Sequence, residues 1–243
     1  MKEERYFYVP EAATSQELPP EEAQHAVRVL RLATGDVVYL MDGQGTFYRA
    51  AITEADRKRC LYRIEEKMPQ DRSWQGRIHL AMAPTKNMDR NEWFAEKATE
   101  IGFDELSFLR CQFSERTVVK TDRVDKILVS AMKQSHKAWK PVLNEMEPFS
   151  DFISRDFGTC DKFICHCYGE ESGFPETEKP LLKEALTAGH DVLVMVGPEG
   201  DFSVDEVKAA LRAGFHSVSL GKSRLRTETA ALVAVHLMHL ANE

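Results

Sequence analysis

From Arg77 onward, short apolar runs alternate with segments of helical periodicity, and few folds accommodate that order. The runs are RIHLAMA (77–83), ELSFL (105–109), DKFICHC (161–167), VLVMV (192–196) and HSVSL (216–220). Helical patterns extend from about Met88 to Ile101 and from Asp122 to about Lys137, then recur in PLLKEALTAG, after Ser203 and from about Thr227. Strands that are apolar at nearly every position are buried on both faces. Their alternation with helices implies an α/β domain with a mostly parallel sheet covered on each side. Ligands of such sheets gather beyond the carboxyl ends of the strands, so chemistry is expected in the loops that leave those ends.

The first seventy residues read differently. VVYLMD, GTFYRAAIT and CLYRIEEK are short, partly alternating runs divided by Gly35-Asp36, Asp42-Gly43 and a charged turn near Asp56. Small strands at this spacing predict a little β-barrel. A short helix, EEAQHAVRVL, precedes them, and PQDRSWQG (69–76) reads as a linker. The expected organisation is a β-rich domain over 1–72 and an α/β domain over 73–243. From Pro141 to Cys160 no pattern places the chain.

Composition removes several classes. No apolar run approaches the ~18 residues of a membrane span, and MKEERYFYVP lacks the apolar stretch of a signal peptide. Five cysteines suit a reducing compartment better than a disulfide framework. A cytoplasmic protein is expected. Cys160, Cys165 and Cys167 cluster around His166, but FICHC alternates like a strand and lacks a CxxC pair, so the reading is a buried strand and no metal. A net charge of −7 argues against a simple coat for nucleic acid. Even so, the segment from Arg110 to Pro141 carries eight lysines and arginines against three acids, with Phe113 and Trp139 among them. A solvated helix face and an RNA-stacking surface both fit it.

Two strand-to-helix loops stand out. In GPEGDFSVDE, Ser203 and Glu206 have the spacing of a capping box, and Gly197 and Gly200 permit close backbone approach. Neither GxGxxG nor GxxxxGK[ST] occurs, which removes the main support for dinucleotide and P-loop readings. Glu199 would repel a phosphate and favours a neutral or cationic ligand. The second loop, SLGKSRLRTETA, sets Lys222, Arg224 and Arg226 against the mouth of an apolar helix that Thr227 or Thr229 can cap. Arg226 could be a plain partner of Glu228 or a site residue; spacing alone leaves both open.

GPEGDFSVDE followed by LGKSRLRTETAAL resembles the bacterial 16S ribosomal RNA uracil-N3 methyltransferases, a family of the trefoil-knotted SPOUT superfamily. HAVRVLRLATGD (25–36), EWFAEKATEIGFDEL (92–106), FSERTVVK (113–120) and KQSHKAWKPVL (133–143) are similar to further family segments, in the family's order. The resemblance implies a PUA-like β-barrel that helps grip RNA and a knotted methyltransferase domain that binds S-adenosyl-L-methionine. It also implies a homodimer acting on 16S ribosomal RNA within the small ribosomal subunit. By motif match, Gly197, Glu199 and Gly200 fall in one cofactor loop and Leu220, Gly221, Leu225 and Arg226 in the other. Arg226 and Glu228 are the candidate catalytic residues. Arg5, His25, Arg28, Arg31, Arg116 and Arg123 are the candidates for RNA, with His25, Arg28 and Arg31 sharing a face at helical spacing. The chain departs from the family at Asp201, where a glycine is frequent, at Lys137, commonly arginine, and at Lys133, often an acid. A related methyltransferase acting on another RNA or another base position and a non-catalytic RNA-binding assembly factor are the alternatives.

Overall fold

A computed structural model describes residues 4–56, 59–169, 172, 174 and 179–243. The chain divides into two compact units, Met1–Arg72 with Val129–Lys140, and Ser73–Leu128 with Pro141–Glu243.

The first unit is built on a four-stranded sheet of β1 (Tyr6–Tyr8), β2 (Val37–Met41), β3 (Thr46–Ala55) and β4 (Cys60–Pro69), paired in that order. The pairs β2–β3 and β3–β4 are antiparallel, and β1 joins β2 in parallel. The turn predicted at Asp42-Gly43 forms because Asp42 Oδ1 accepts the N–H groups of Gln44 at 2.7 Å and Thr46 at 3.0 Å. Phe7, Val38, Leu40, Ala50, Ile52 and Tyr62 form the core beneath. The expected single helix EEAQHAVRVL is instead a short α1 (Pro20–Gln24) continuing into a wider π-type turn, His25–Val29. Arg31 lies past its end with a φ of 53°. His25, Arg28 and Arg31 are all exposed, but the widened turn and the left-handed residue remove the regular helical face on which they were expected to align.

The second unit carries a seven-stranded parallel sheet. Its strands are β5 (Ile78–Met82), β6 (Glu105–Arg110), β7 (Val142–Leu143), β8 (Glu147–Pro148), β9 (Asp161–Cys165), β10 (Val192–Val196) and β11 (His216–Val218). They pair in the order β11-β9-β10-β5-β6-β7, with β8 also on β6. Every residue of β5 and β10 is buried, which accounts for sequences that are apolar throughout β10 and broken in β5 only by His79. Helices α2 (Met88–Ile101), α3 (Thr121–Ser135) and α7 (Thr227–Asn242) contribute Phe94, Leu128 and Met238 to the core on one face. On the other face α4 (Phe149–Ile153) and α6 (Val204–Arg212) contribute Phe152 and Val207. The helix expected in PLLKEALTAG is only α5 (Leu182–Ala185). The unplaced stretch after Pro141 supplies β7, β8 and α4. From β11, at one edge of the sheet, the chain returns so that α7 packs on α2, β5 and β10 near the centre. Among the described residues, no helix is long and apolar enough to cross a membrane.

Candidate active site

All strands of the second unit run the same way, so the crossovers from β5, β10 and β11 leave one end of the sheet together with the segment that follows β9. Three carboxylates tie these segments to one another.

The β10–α6 crossover begins at Gly197, whose Cβ, if present, would lie 2.9 Å from the Phe202 nitrogen; the turn is too close for any side chain there. Ser203 caps α6 as expected: its Oγ accepts the Glu206 N–H at 3.2 Å while Glu206 Oε2 accepts the Ser203 N–H at 2.8 Å. The exposed Glu199 reaches across to accept the Lys86 N–H at 2.9 Å, which is the first tie. Asp201 makes the second, accepting the Cys167 N–H at 2.7 Å beyond β9.

The β5–α2 crossover had no part in the sequence reading. It is held from within by Thr85 and Asn91, both buried: Thr85 donates its N–H to Asn91 Oδ1 at 2.8 Å, and Asn91 Nδ2 donates to the Thr85 carbonyl at 3.1 Å. Arg116 then clamps it from outside, donating from Nε to the Thr85 carbonyl at 3.1 Å and from its guanidinium to the Lys86 carbonyl. The guanidinium expected to face RNA is therefore also a brace of this crossover. Arg123 is exposed and donates to Glu92 at 2.9 Å. In the first unit, Lys133 closes on Glu22 at 2.7 Å.

The β11–α7 crossover turns at Gly221, whose φ of 120° favours glycine and over which a Cβ would meet nothing within 4 Å. The loop thus offers bare backbone to open space, a surface a flat or extended ligand can approach closely. Leu220 and Leu225 are half-buried, while Lys222, Arg224 and Arg226 are exposed. The residue at the helix cap is Arg226, with no side-chain capping bond, rather than either threonine. Glu228 is buried in the first turn, and the cation beside it is not Arg226 but Arg90 of α2, 3.7 Å from Oε1; this pair is the third tie. Nothing in the sequence pointed to Arg90.

The glycine-lined loops and the acid of Glu199 fit an uncharged or cationic ligand with a flat ring, and S-adenosylmethionine has both properties. The cysteines lie at the margin. Cys165 ends β9, Cys167 is exposed, and His166 donates or accepts at Ser217 Oγ, 2.8 Å away. Burial and the neighbouring Lys179 push the His166 imidazole down to about 4. Among the described residues, no group of three His, Cys, Asp or Glu side chains is placed to hold a metal.

Comparison with known proteins agrees with this geometry. Residues 72–239 match the model of an RNA methyltransferase domain, and residues 18–65 match that of an RNA methyltransferase PUA domain. Ribosomal RNA small subunit methyltransferase E of Mycobacterium bovis is 31% identical, the match covering 94% of this chain and 88% of that protein. The protein of the same name from Bacillus subtilis is 26% identical over 96% of this chain and 93% of its own length. Among solved structures, a probable rRNA-methyltransferase from Porphyromonas gingivalis is 42% identical with a TM-score of 0.90, covering 98% of both chains. Ribosomal RNA small subunit methyltransferase E from Neisseria gonorrhoeae, solved bound to S-adenosyl methionine, is 25% identical with a TM-score of 0.84 over 98% of both chains. With a matching domain over most of its length and relatives alike along nearly all of it, this chain belongs to the RNA methyltransferase family that includes ribosomal RNA small subunit methyltransferase E.

Proposed function

We propose that this chain transfers the methyl group of S-adenosyl-L-methionine to N3 of a specific uridine in 16S ribosomal RNA, acting in the cytoplasm as a homodimer. The observation that carries this reading is the tying of three crossovers at one end of a parallel sheet, around loops bare enough to hold a flat cofactor. Gly197, Glu199 and Gly200 would hold the donor from one side, and Leu220, Gly221, Leu225 and Arg226 from the other. When bound, the donor supplies an electrophilic methyl group. The protein's task is then to bring up an unpaired uracil and stabilise the charge that spreads onto its two carbonyl oxygens as the N3 proton leaves. Arg226, exposed at the mouth of α7, is suited to that charge.

N3 lies on the pairing edge, so the target must be turned out of its stack before it reacts. Arg5, His25, Arg28 and Arg31 in the first unit and Arg123 in the second are the proposed contacts to RNA. Arg116 is proposed to act there while bracing the β5–α2 crossover. Leu240 and Trp93, 53% and 43% exposed on α7 and α2, are suited to a dimer seam.

Nucleoside mass spectrometry of small-subunit RNA treated with the protein and S-adenosylmethionine should reveal N3-methyluridine. Arg226→Ala should lower the yield per unit time about 100-fold or more, the cost of removing one charge-stabilising donor. Its melting temperature should stay unchanged. Methylation at another atom rejects the N3 assignment, and RNA binding with no calorimetric heat from S-adenosylmethionine favours a non-catalytic assembly factor.

A further inference from the structure

The carboxylate of Glu228 is nine-tenths buried, yet only half of it is accounted for. Arg90 stands 3.7 Å from Oε1, beyond hydrogen-bond reach, and no donor among the described residues reaches the buried Oε2. A buried carboxylate oxygen left without a donor is costly, and an N–H brought by a ligand would relieve that cost. Its position, in the first turn of α7 directly after the β11–α7 crossover, puts it among the three segments tied together at the end of the sheet.

An acceptor and a guanidinium side by side are the complement of an edge that sets a donor beside an acceptor. Uracil presents an N–H at N3 flanked by two carbonyl oxygens. Cytosine presents a bare N3 beside an amino group, which would set lone pair against lone pair at the acid and donor against donor at the arginine. The adenine of the methyl donor also sets an amino N–H beside a bare ring nitrogen, and cofactor affinity in the variants tells the two edges apart.

We propose that Glu228 Oε2 accepts the N3 proton of the target uracil while Arg90 holds an adjacent carbonyl oxygen, so that the pair both selects uracil and activates it. The inference rests on the N3-uridine reading above. In the step, the N3–H bond breaks and its proton passes to Glu228, which becomes a neutral acid. The freed electron pair forms the N3–methyl bond, and the pair of the broken carbon–sulfur bond stays on sulfur. Cation and carboxylate are consumed together, so charge balances. Arg90, half-exposed, leaves a path by which the proton returns to water.

The test uses the full chain, S-adenosylmethionine and small-subunit RNA from cells lacking the activity. Glu228→Gln keeps the shape and removes the base; its single-turnover rate should fall about 100- to 10,000-fold, the usual range for a lost general base. The affinity for S-adenosylmethionine, read by calorimetry without RNA, should hold within about twofold, since the assignment places no cofactor bond on this acid. The rate gap to the unaltered protein should close as pH rises toward the range where an imide ionises unaided, a signature no packing defect produces. Arg90→Gln, at a more exposed position, should raise KM for RNA more than it lowers kcat. A full rate in Glu228→Gln, a pH-independent loss, or a parallel loss of cofactor affinity would each overturn the assignment. Should the unaltered protein yield a product other than N3-methyluridine, the parent reading falls first; if the product is N3-methyluridine and Glu228→Gln keeps its rate, only this inference falls.

Discussion

Asp201 takes a φ of 67°, in the left-handed region that glycine enters freely and most side chains avoid. Its carboxylate offsets the strain by accepting the Phe202 N–H and the Cys167 N–H, each at 2.7 Å. The residue thus does what glycine does for the turn and, in addition, fastens two crossovers. Asp201→Ala should therefore cost about 2–3 kcal/mol, part strain and part lost hydrogen bonds. Asp201→Gly should cost about 1 kcal/mol less than Asp201→Ala because it keeps the backbone freedom. Urea unfolding of the two variants checks this, and equal losses would mean that the φ angle carries no weight. The loop glycines, Glu199 and Arg226 could be picked out from sequence because they sit in a compact motif. Arg90 could not, because its partner lies on a helix at the other end of the domain's chain. The bracing role of Arg116 was hidden for a related reason: its acceptors are main-chain carbonyls, which leave no mark on the side-chain pattern.

At the scale of elements, burial decides what a sequence announces. β5 and β10 are buried at all five positions and read as strands without structural help. β1, β7 and β8 are two or three residues long and too short to show a period. In PLLKEALTAG the local preference for helix loses to the route the chain must take. Leu186 turns extended, and Gly189, with a φ of 78°, donates its N–H to Asn242 Oδ1 at 2.7 Å as the chain turns toward β10. α6 shows the opposite case, a helix whose start is written in its capping box. Ser203→Ala should lower stability by about 1 kcal/mol. Glu206→Ala should cost more, because Glu206 Oε1 also accepts the Gln112 N–H at 2.8 Å and so fixes the segment after β6. Denaturation midpoints of the two variants give the order, and a smaller loss at Glu206 would deny it that second role.

For the whole molecule, two buried histidines set a direction for stability against pH. Burial pushes His79 down to about 4, despite Glu105 nearby, and its Nε2 lies 2.9 Å from Ser107 Oγ. His166 is likewise held at about 4. In the unfolded chain each binds its proton near the ordinary value of 6.5, so between 6.5 and about 4 the unfolded state holds more protons than the folded one. Stability should therefore fall as pH drops through that window, by on the order of 3 kcal/mol from His79 alone. His79→Gln should flatten the slope measured by urea titration at successive pH values; an unaltered slope would show that other groups set it. The α/β architecture, its parallel sheet and the small β domain were legible because they rest on burial patterns that repeat along the chain. The return of α7 was not legible from those patterns, since periodicity says where a helix is and not which strands it will cover. That return has a consequence for how the protein comes into being. β5 and α2 are made before the helix that shields them, so a polypeptide synthesised only as far as β11 still shows that apolar surface to water. The sixteen residues of α7 must be added and drawn into place before that surface closes.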